Sequence, residues 1–227
     1  MTVLQIQSIS PNGDCALIIR FDQQADTLCG VHAVAEGLQQ HPLPGLINVI
    51  PTTDSLVLVF SEPVIYTEQW LNQLRQRIIQ PHHWPHQPVS HQWPVCYDPA
   101  LAPDLLSVTV QLGCSVEQLI SWHTARSYRV QQLGFLPGFV YLEGNHQALD
   151  LPRKARPELR VPAGSVAIAG RQTGVYALST PGGWHVIGRT AEPWLNVNED
   201  QPMKVRPMDR VRFVAVDRQT YEQQRHS

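Results

Sequence analysis

The chain has 227 residues, 43% of them hydrophobic, and a formal net charge of −2 at pH 7. That length holds one large domain or two modest ones. The slightly acidic balance argues against general nucleic-acid binding, and no apolar run is long enough to cross a bilayer. The chain does not open on a basic segment followed by an apolar core, so the expectation is a cytoplasmic protein that binds neither nucleic acid nor membrane.

The first 80 residues alternate between strand and helix patterns. Residues 3–9 and 15–21 read as a hairpin around the turn Pro11-Asn12-Gly13-Asp14. Residues 26–40 read as a helix with Leu28, Val31, Val34, Ala35 and Leu38 on one face. Residues 46–51 and 55–60 form a second hairpin pattern. Residues 67–79 form a second helix pattern, with Trp70, Leu71, Leu74 and Ile78 as its stripe. The order ββαββα predicts a small α+β domain over residues 1–80, helices on one face of a sheet. Residues 81–94 contain Pro81, Pro85, Pro88 and Pro94 and read as an extended connector. His82, His83, His86 and His91 fall there, and without a rigid element to fix them no metal site is expected.

Residues 95–227 read as a mostly β domain. Residues 105–112 alternate through Leu106, Val108 and Val110 like a strand. Ser115 caps a helix over 116–124, and residues 127–133, 166–169, 184–188 and 211–216 carry strand patterns. Short strands, dense Gly/Pro turns and one helix predict a closed or nearly closed barrel. Cys15, Cys29, Cys96 and Cys114 are scattered without a Cys-x-x-Cys pair, so reduced structural thiols are expected.

Charge is concentrated between residues 151 and 191. Arg153, Lys154, Arg156, Arg160, Arg171 and Arg189 stand there against the single acid Glu158. Arginine presents a planar fork to carboxylate or phosphate, so Arg153, Arg156, Arg160 and Arg189 are candidate clamps for a small anion. Gly134, Pro137 and Gly138 shape a loop with Phe135 and Phe139 as apolar walls. Gly182 and Gly183 form a tight turn able to offer N–H groups to an anion. His185 lies on a strand beside the cationic stretch and is a candidate binding residue. No G-x-x-x-x-G-K-[ST], G-x-S-x-G or H-E-x-x-H motif is present.

Four ordered segments, GFLPGF at 134–139, VPAGSVAIAG at 161–170, QTGVY at 172–176 and PGGWHVIGRT at 181–190, resemble the signature of the KipI/PxpB family. That family is also described as allophanate hydrolase subunit 1 or carboxyltransferase subdomain A/B. The resemblance implies that the C-terminal barrel is cyclophilin-like. It implies the B component of a bacterial ATP-dependent 5-oxoprolinase, which converts 5-oxo-L-proline to L-glutamate. Its partners would be a PxpC/KipA-type and a PxpA-type subunit, with ATP and Mg as cofactors, and the chain alone would be inactive or a homodimer. Two alternatives stay open: an inhibitor of a sporulation-type histidine kinase, and a carboxyltransferase component acting on urea or a related amide. The resemblance also points to His123 and Tyr128 as candidate catalytic residues. Glu158 stands where family members often carry Arg.

Overall fold

The structure is a computed structural model that describes residues 4–80, 82 and 84–225. It divides into two compact units, residues 1–87 and 88–227. Part of the first predicted strand (Val3) and Pro81 and His83 of the proposed connector lie outside the described residues.

The first unit contains β1 (Ile6–Pro11), β2 (Ala16–Phe21), α1 (Thr27–Gln40), β3 (Leu46–Pro51), β4 (Ser55–Phe60) and α2 (Glu68–Ile79). The strands form one antiparallel sheet in the order β1-β2-β4-β3. Alternation sends Leu17, Ile19, Phe21, Leu56, Leu58 and Phe60 to the face covered by the helices, and all six are buried. The α1 side chains Leu28, Val31, Val34, Ala35 and Leu38 are buried together, as their spacing requires. Thr67 caps α2, its side chain accepting from the Trp70 N–H at 3.2 Å. Thr67→Ala should therefore lower the stability of this unit by about 1 kcal/mol, read as a lower urea midpoint, with Thr67→Ser close to wild type.

The second unit contains β5 (Ser90–Cys96), α3 (Leu105–Leu112), α4 (Val116–Thr124), β6 (Ser127–Leu133), β7 (Val140–Glu143), a short 3-10 turn at Gln147–Leu149, β8 (Glu158–Val161), β9 (Ser165–Ala169), β10 (Gln172–Val175), β11 (Thr180–Gly182), β12 (His185–Arg189), β13 (Arg210–Val216) and α5 (Arg218–Arg225). Seven strands close a barrel in the order β10-β7-β6-β13-β5-β12-β9, while β8 and β11 form a separate two-stranded ribbon. Trp93, Val95, Tyr128, Val130, Leu142, Val166, Ile168, Ile187 and Phe213 belong to the barrel's core cluster.

Two expectations differ from this fold. Residues 105–112 are helical. Leu105, Val108 and Thr109 are the buried side chains, whereas Leu106 and Val110 are exposed. The apolar residues satisfy both a period of two and a helical stripe, and the helical reading prevails. Gly113 then ends the helix at φ 63°, the left-handed cap position that glycine takes without steric cost. Residues 90–94 of the proposed connector are the first part of β5. Pro94 is tolerated because β5 pairs with β13 along its length and with β12 only at Cys96, so the missing N–H falls on an unpaired edge.

Candidate functional site

The barrel wall carries a second apolar layer on its outer face. Ala167 and Ala169 of β9 alternate with the inward Val166 and Ile168 and pack with Phe139, Tyr176, Trp184 and Val186. Small residues in the wall let large rings lie against it. At Gly174 of β10, a Cβ would come within 2.6 Å of Phe139 and 2.8 Å of Trp184. Phe139 is the hub of the ring cluster. Its centroid is 4.6 Å from Tyr141, 4.8 Å from Tyr176 and 5.9 Å from Trp184, in tilted or edge-on geometry, the arrangement favoured by ring quadrupoles.

These rings floor a cleft of about 340 Å³. Phe135 stands at its edge, 63% exposed, at φ 70°. Gly182, the last residue of β11, and Gly183 after it form one side, so the expected tight turn at Pro181-Gly182-Gly183 is the end of a strand. A side chain on Gly182 would overlap the Tyr176 hydroxyl, so glycine lets β11 pass that close. Arg153 and Lys154 form the cationic rim. The Arg153 guanidinium lies over the Trp184 ring at 6.0 Å from its centroid.

The loop that carries these cations is tied down from several directions. The Lys154 N–H donates to the Gly183 carbonyl at 2.8 Å. A ring nitrogen of His185 lies 2.9 Å from the Pro152 carbonyl. Lys154 Nζ reaches Asp104 and Glu158, each at 2.7 Å. Burial opposes the Lys154 charge, but the hydrogen bonds to these two carboxylates outweigh it and raise its pKa above the ordinary lysine value. Asp104, itself 9% exposed, also accepts from the Val186 N–H at 2.8 Å. One carboxylate thereby joins the start of α3 to the rim loop and to β12.

Burial raises the Tyr141 phenol, and Arg153 moderates the shift. Burial also pushes Tyr176 up to about 12, with Tyr141 adding to the shift and Arg153 opposing it. Both phenols therefore keep their protons near neutral pH. Neither hydroxyl has a hydrogen-bond partner among the described residues. The cleft thus combines an aromatic floor, two phenol hydroxyls of which that of Tyr176 is almost fully covered, and a guanidinium.

Of the four candidate clamps, the structure brings only Arg153 to the cleft. Arg156 and Arg160 are exposed, and Arg160 Nε donates to Ser179 Oγ at 3.2 Å. Arg189 ends β12 in register with Ser165. Arg189 Nε and Ser165 Oγ are both buried without a hydrogen-bond partner among the described residues. Gly138 does not line the cleft. It holds φ 81°, and its carbonyl accepts from Trp194 Nε1 at 2.7 Å. His185 acts through the loop it holds. Glu158, with Asp104, offsets the charge of Lys154.

His123 and Tyr128 lie inside the barrel, both 0% exposed. His123 Nδ1 is 2.7 Å from the Tyr97 hydroxyl, and Nε2 is 3.3 Å from Thr173 Oγ1. The Thr173 hydroxyl donates to Asn145 Oδ1 at 2.6 Å. Its oxygen can then accept from Nε2–H, leaving Nδ1 to accept from Tyr97. Burial lowers the His123 pKa to about 3, and its ring stacks on Phe213 at 4.5 Å. Tyr128 donates to the His123 carbonyl at 2.9 Å, and burial raises its pKa. This is a neutral polar network within the core, away from the outer cleft.

Sequence reasoning passes over Tyr141, Tyr176, Trp184 and Asp104 as site residues, and does not single out Lys154. Tyr176 and Trp184 stand inside the family motifs, and Lys154 lies in the basic run. Asp104 has no local signal, because its partners are 50 and 82 residues away. A smaller cavity, about 220 Å³, lies where Trp194, Tyr221 and Arg225 meet. Its Arg225 is 3.9 Å from Glu222, and the Thr190 hydroxyl oxygen accepts from the Glu192 N–H. Of the proposed connector histidines, His82 and His91 are each engaged within their own unit, and His83 lies outside the described residues. His82 lies 2.9 Å from the Arg77 carbonyl and His91 pairs with Asp209 at 3.1 Å. Among the described residues no group of three or more His, Cys, Asp or Glu is placed to hold a metal, and no helix is long and apolar enough to cross a membrane. Cys114 is partly buried, and burial raises its pKa, which disfavours a thiolate.

The chain is similar to the 5-oxoprolinase B component of Bacillus subtilis (strain 168), 36% identical over 92% of each chain. Among solved structures, TTHA0988 superposes with a TM-score of 0.76 at 35% identity, covering 89% of this chain. This chain spans 40% of that longer one. The urea amidolyase of K. lactis shares the fold, with a TM-score of 0.73 at 17% identity over 96% of this chain and 16% of that one. A family model for the carboxyltransferase domain, subdomain C and D, matches residues 7–205; its subdomain letters differ from the A/B of the motif resemblance. Motifs, barrel and full-length similarity agree: the chain belongs to this carboxyltransferase-domain family, in the branch that includes the 5-oxoprolinase B component.

Proposed function

We propose that this chain is the B component of a heteromeric, ATP-dependent 5-oxoprolinase. It would work with a PxpC/KipA-type and a PxpA-type subunit to open 5-oxo-L-proline to L-glutamate. The observation that carries the reading is the 36% identity to the B. subtilis protein across 92% of both chains. In the net reaction water adds across the lactam, the ring C–N bond breaks, and ATP hydrolysis drives the opening. The cleft supports the reading by its chemistry. The aromatic floor suits a small flat ring, Arg153 suits its carboxylate, and the phenols can meet an amide.

A magnesium-bound triphosphate fits this cleft poorly. Lys154 is already held by Asp104 and Glu158, leaving those carboxylates beside any incoming phosphate. No phosphoryl-transfer step is therefore assigned to this chain's residues. Their part is to bind and orient the ring and exclude water from the aromatic floor. The test is reconstitution of the three subunits. Phosphate release should depend on 5-oxo-L-proline and fall to background when this chain is omitted. An equal rate without it would overturn the reading.

A further inference from the structure

We infer that the outer aromatic cleft is a reader of a single carboxylate on a small ring, with Arg153 as its anion partner and Tyr141 and Tyr176 meeting the ring's polar edge, and that it discriminates against polyphosphate. The ligand's identity as 5-oxo-L-proline rests on the proposed function. The class of ligand rests on charge and geometry alone.

The basic segment gives a misleading impression of the charge available here. Of its six cations, only Arg153 and Lys154 line the cleft. Lys154 sits between two carboxylates at 2.7 Å, and together these three groups carry a net negative charge. Among the described residues Arg153 has no carboxylate partner. It is therefore the one lining cation able to take a ligand anion. Its position over Trp184 restrains the guanidinium plane, which lowers the entropy lost when a fork-to-carboxylate contact forms. A polyphosphate needs several such cations and here would also meet Asp104 and Glu158.

Size and lining agree. A cleft of about 340 Å³ is at the small end of ligand pockets. Phe139, Tyr176 and Trp184 are each at most 5% exposed, a floor already packed before a ligand arrives. The Tyr141 and Tyr176 hydroxyls can each donate or accept, which suits an amide edge with one acceptor and one donor. The preference for one carboxylate thus follows from Asp104 and Glu158, which together remove Lys154 from the available charge.

Calorimetric titration of the full chain decides the matter, with 5-oxo-L-proline, 2-pyrrolidinone and inorganic tripolyphosphate as probes. The expected order is 5-oxo-L-proline first, 2-pyrrolidinone at least about tenfold weaker, and no competition by tripolyphosphate. That tenfold corresponds to about 1.4 kcal/mol. Arg153→Gln should weaken 5-oxo-L-proline to the level of 2-pyrrolidinone without moving the thermal midpoint. Tyr176→Phe should weaken both ring ligands, and Arg20→Gln in the first unit should change neither. In the reconstituted assembly Arg153→Gln should raise KM for 5-oxo-L-proline and leave KM for ATP unchanged. Competition by tripolyphosphate, or 5-oxo-L-proline binding that ignores Arg153→Gln, would overturn the inference. An inactive wild-type assembly would instead remove the proposed function, and the titration would still decide the cleft.

Discussion

Gly164→Ala is expected to destabilise the barrel unit by about 2–4 kcal/mol, the sum of left-handed backbone strain and overpacking. Gly164 holds φ 79°, and a Cβ there would overlap the Thr190 carbonyl oxygen. The neighbour is backbone, so no rotamer change relieves the overlap. The residue is also hydrogen-bonded from both sides. Its N–H donates to the Tyr176 carbonyl at 2.7 Å, and its carbonyl accepts from the Thr190 N–H at 2.9 Å. Any shift that makes room for the methyl group pulls on β10 and β12 together. Gly170 supplies the comparison. It has φ 54° and nothing within 4 Å of its Cβ position, so Gly170→Ala should cost only the strain, about 1 kcal/mol. Urea unfolding followed by tryptophan fluorescence separates the two. Equal midpoints for the two variants would refute the account.

The second large effect is a loss of stability in mild acid. An ordinary histidine titrates near 6.5, but burial holds His123 down at about 3 in the folded barrel. Between those values the unfolded chain takes up a proton that the folded chain refuses. Stability therefore rises with pH across this window and is lost as pH falls from about 6.5 towards 3. From pH 8 to pH 5 the expected loss from this one group is about 2 kcal/mol. Phe213, Tyr97 and Tyr128 pack around the ring, with no carboxylate among its hydrogen-bond partners to stabilise an imidazolium. His123→Leu should start less stable at pH 8, because Tyr97 and Thr173 lose their partner, yet show a flatter slope between pH 8 and pH 5. A slope identical to wild type would show that another group carries the acid sensitivity.

Gly164 and His123 serve different layers of one barrel. In the inward layer His123, Thr173 and Asn145 bond to one another, with Asn145 Nδ2 left without a partner among the described residues. The outward layer needs glycine and alanine so that Phe139, Tyr176 and Trp184 can lie against the strands. A cleft built on a closed barrel is rigid at its floor, which suits recognition of one small ring. Its rim is a loop held by Asp104, Gly183 and His185.

Much of the fold is legible in residue order. Thr67 and Ser115 each cap the helix they precede. The predicted limits of β3, β4, α4 and β6 match the structure. Helix α3 escapes the sequence reading because its apolar residues fit both periods. Strands β7, β8, β10 and β11 are foreseeable only as short strands among turns, since each has four residues or fewer and so little periodicity to detect. Within the site, Phe135, Arg153, Gly182 and Gly183 are legible in the sequence and line the cleft.

By itself the sequence determined the alternation of strand and helix, the family motifs, and the concentration of cations between residues 151 and 191. Those are local properties, set by side-chain period and composition. Only the tertiary structure decided which cation can meet a ligand. Asp104 reaches Lys154 across 50 residues, Arg156 and Arg160 lie outside the cleft, and the barrel closes over His123. Charge counts along a chain, whereas availability depends on which distant carboxylate folds against each cation.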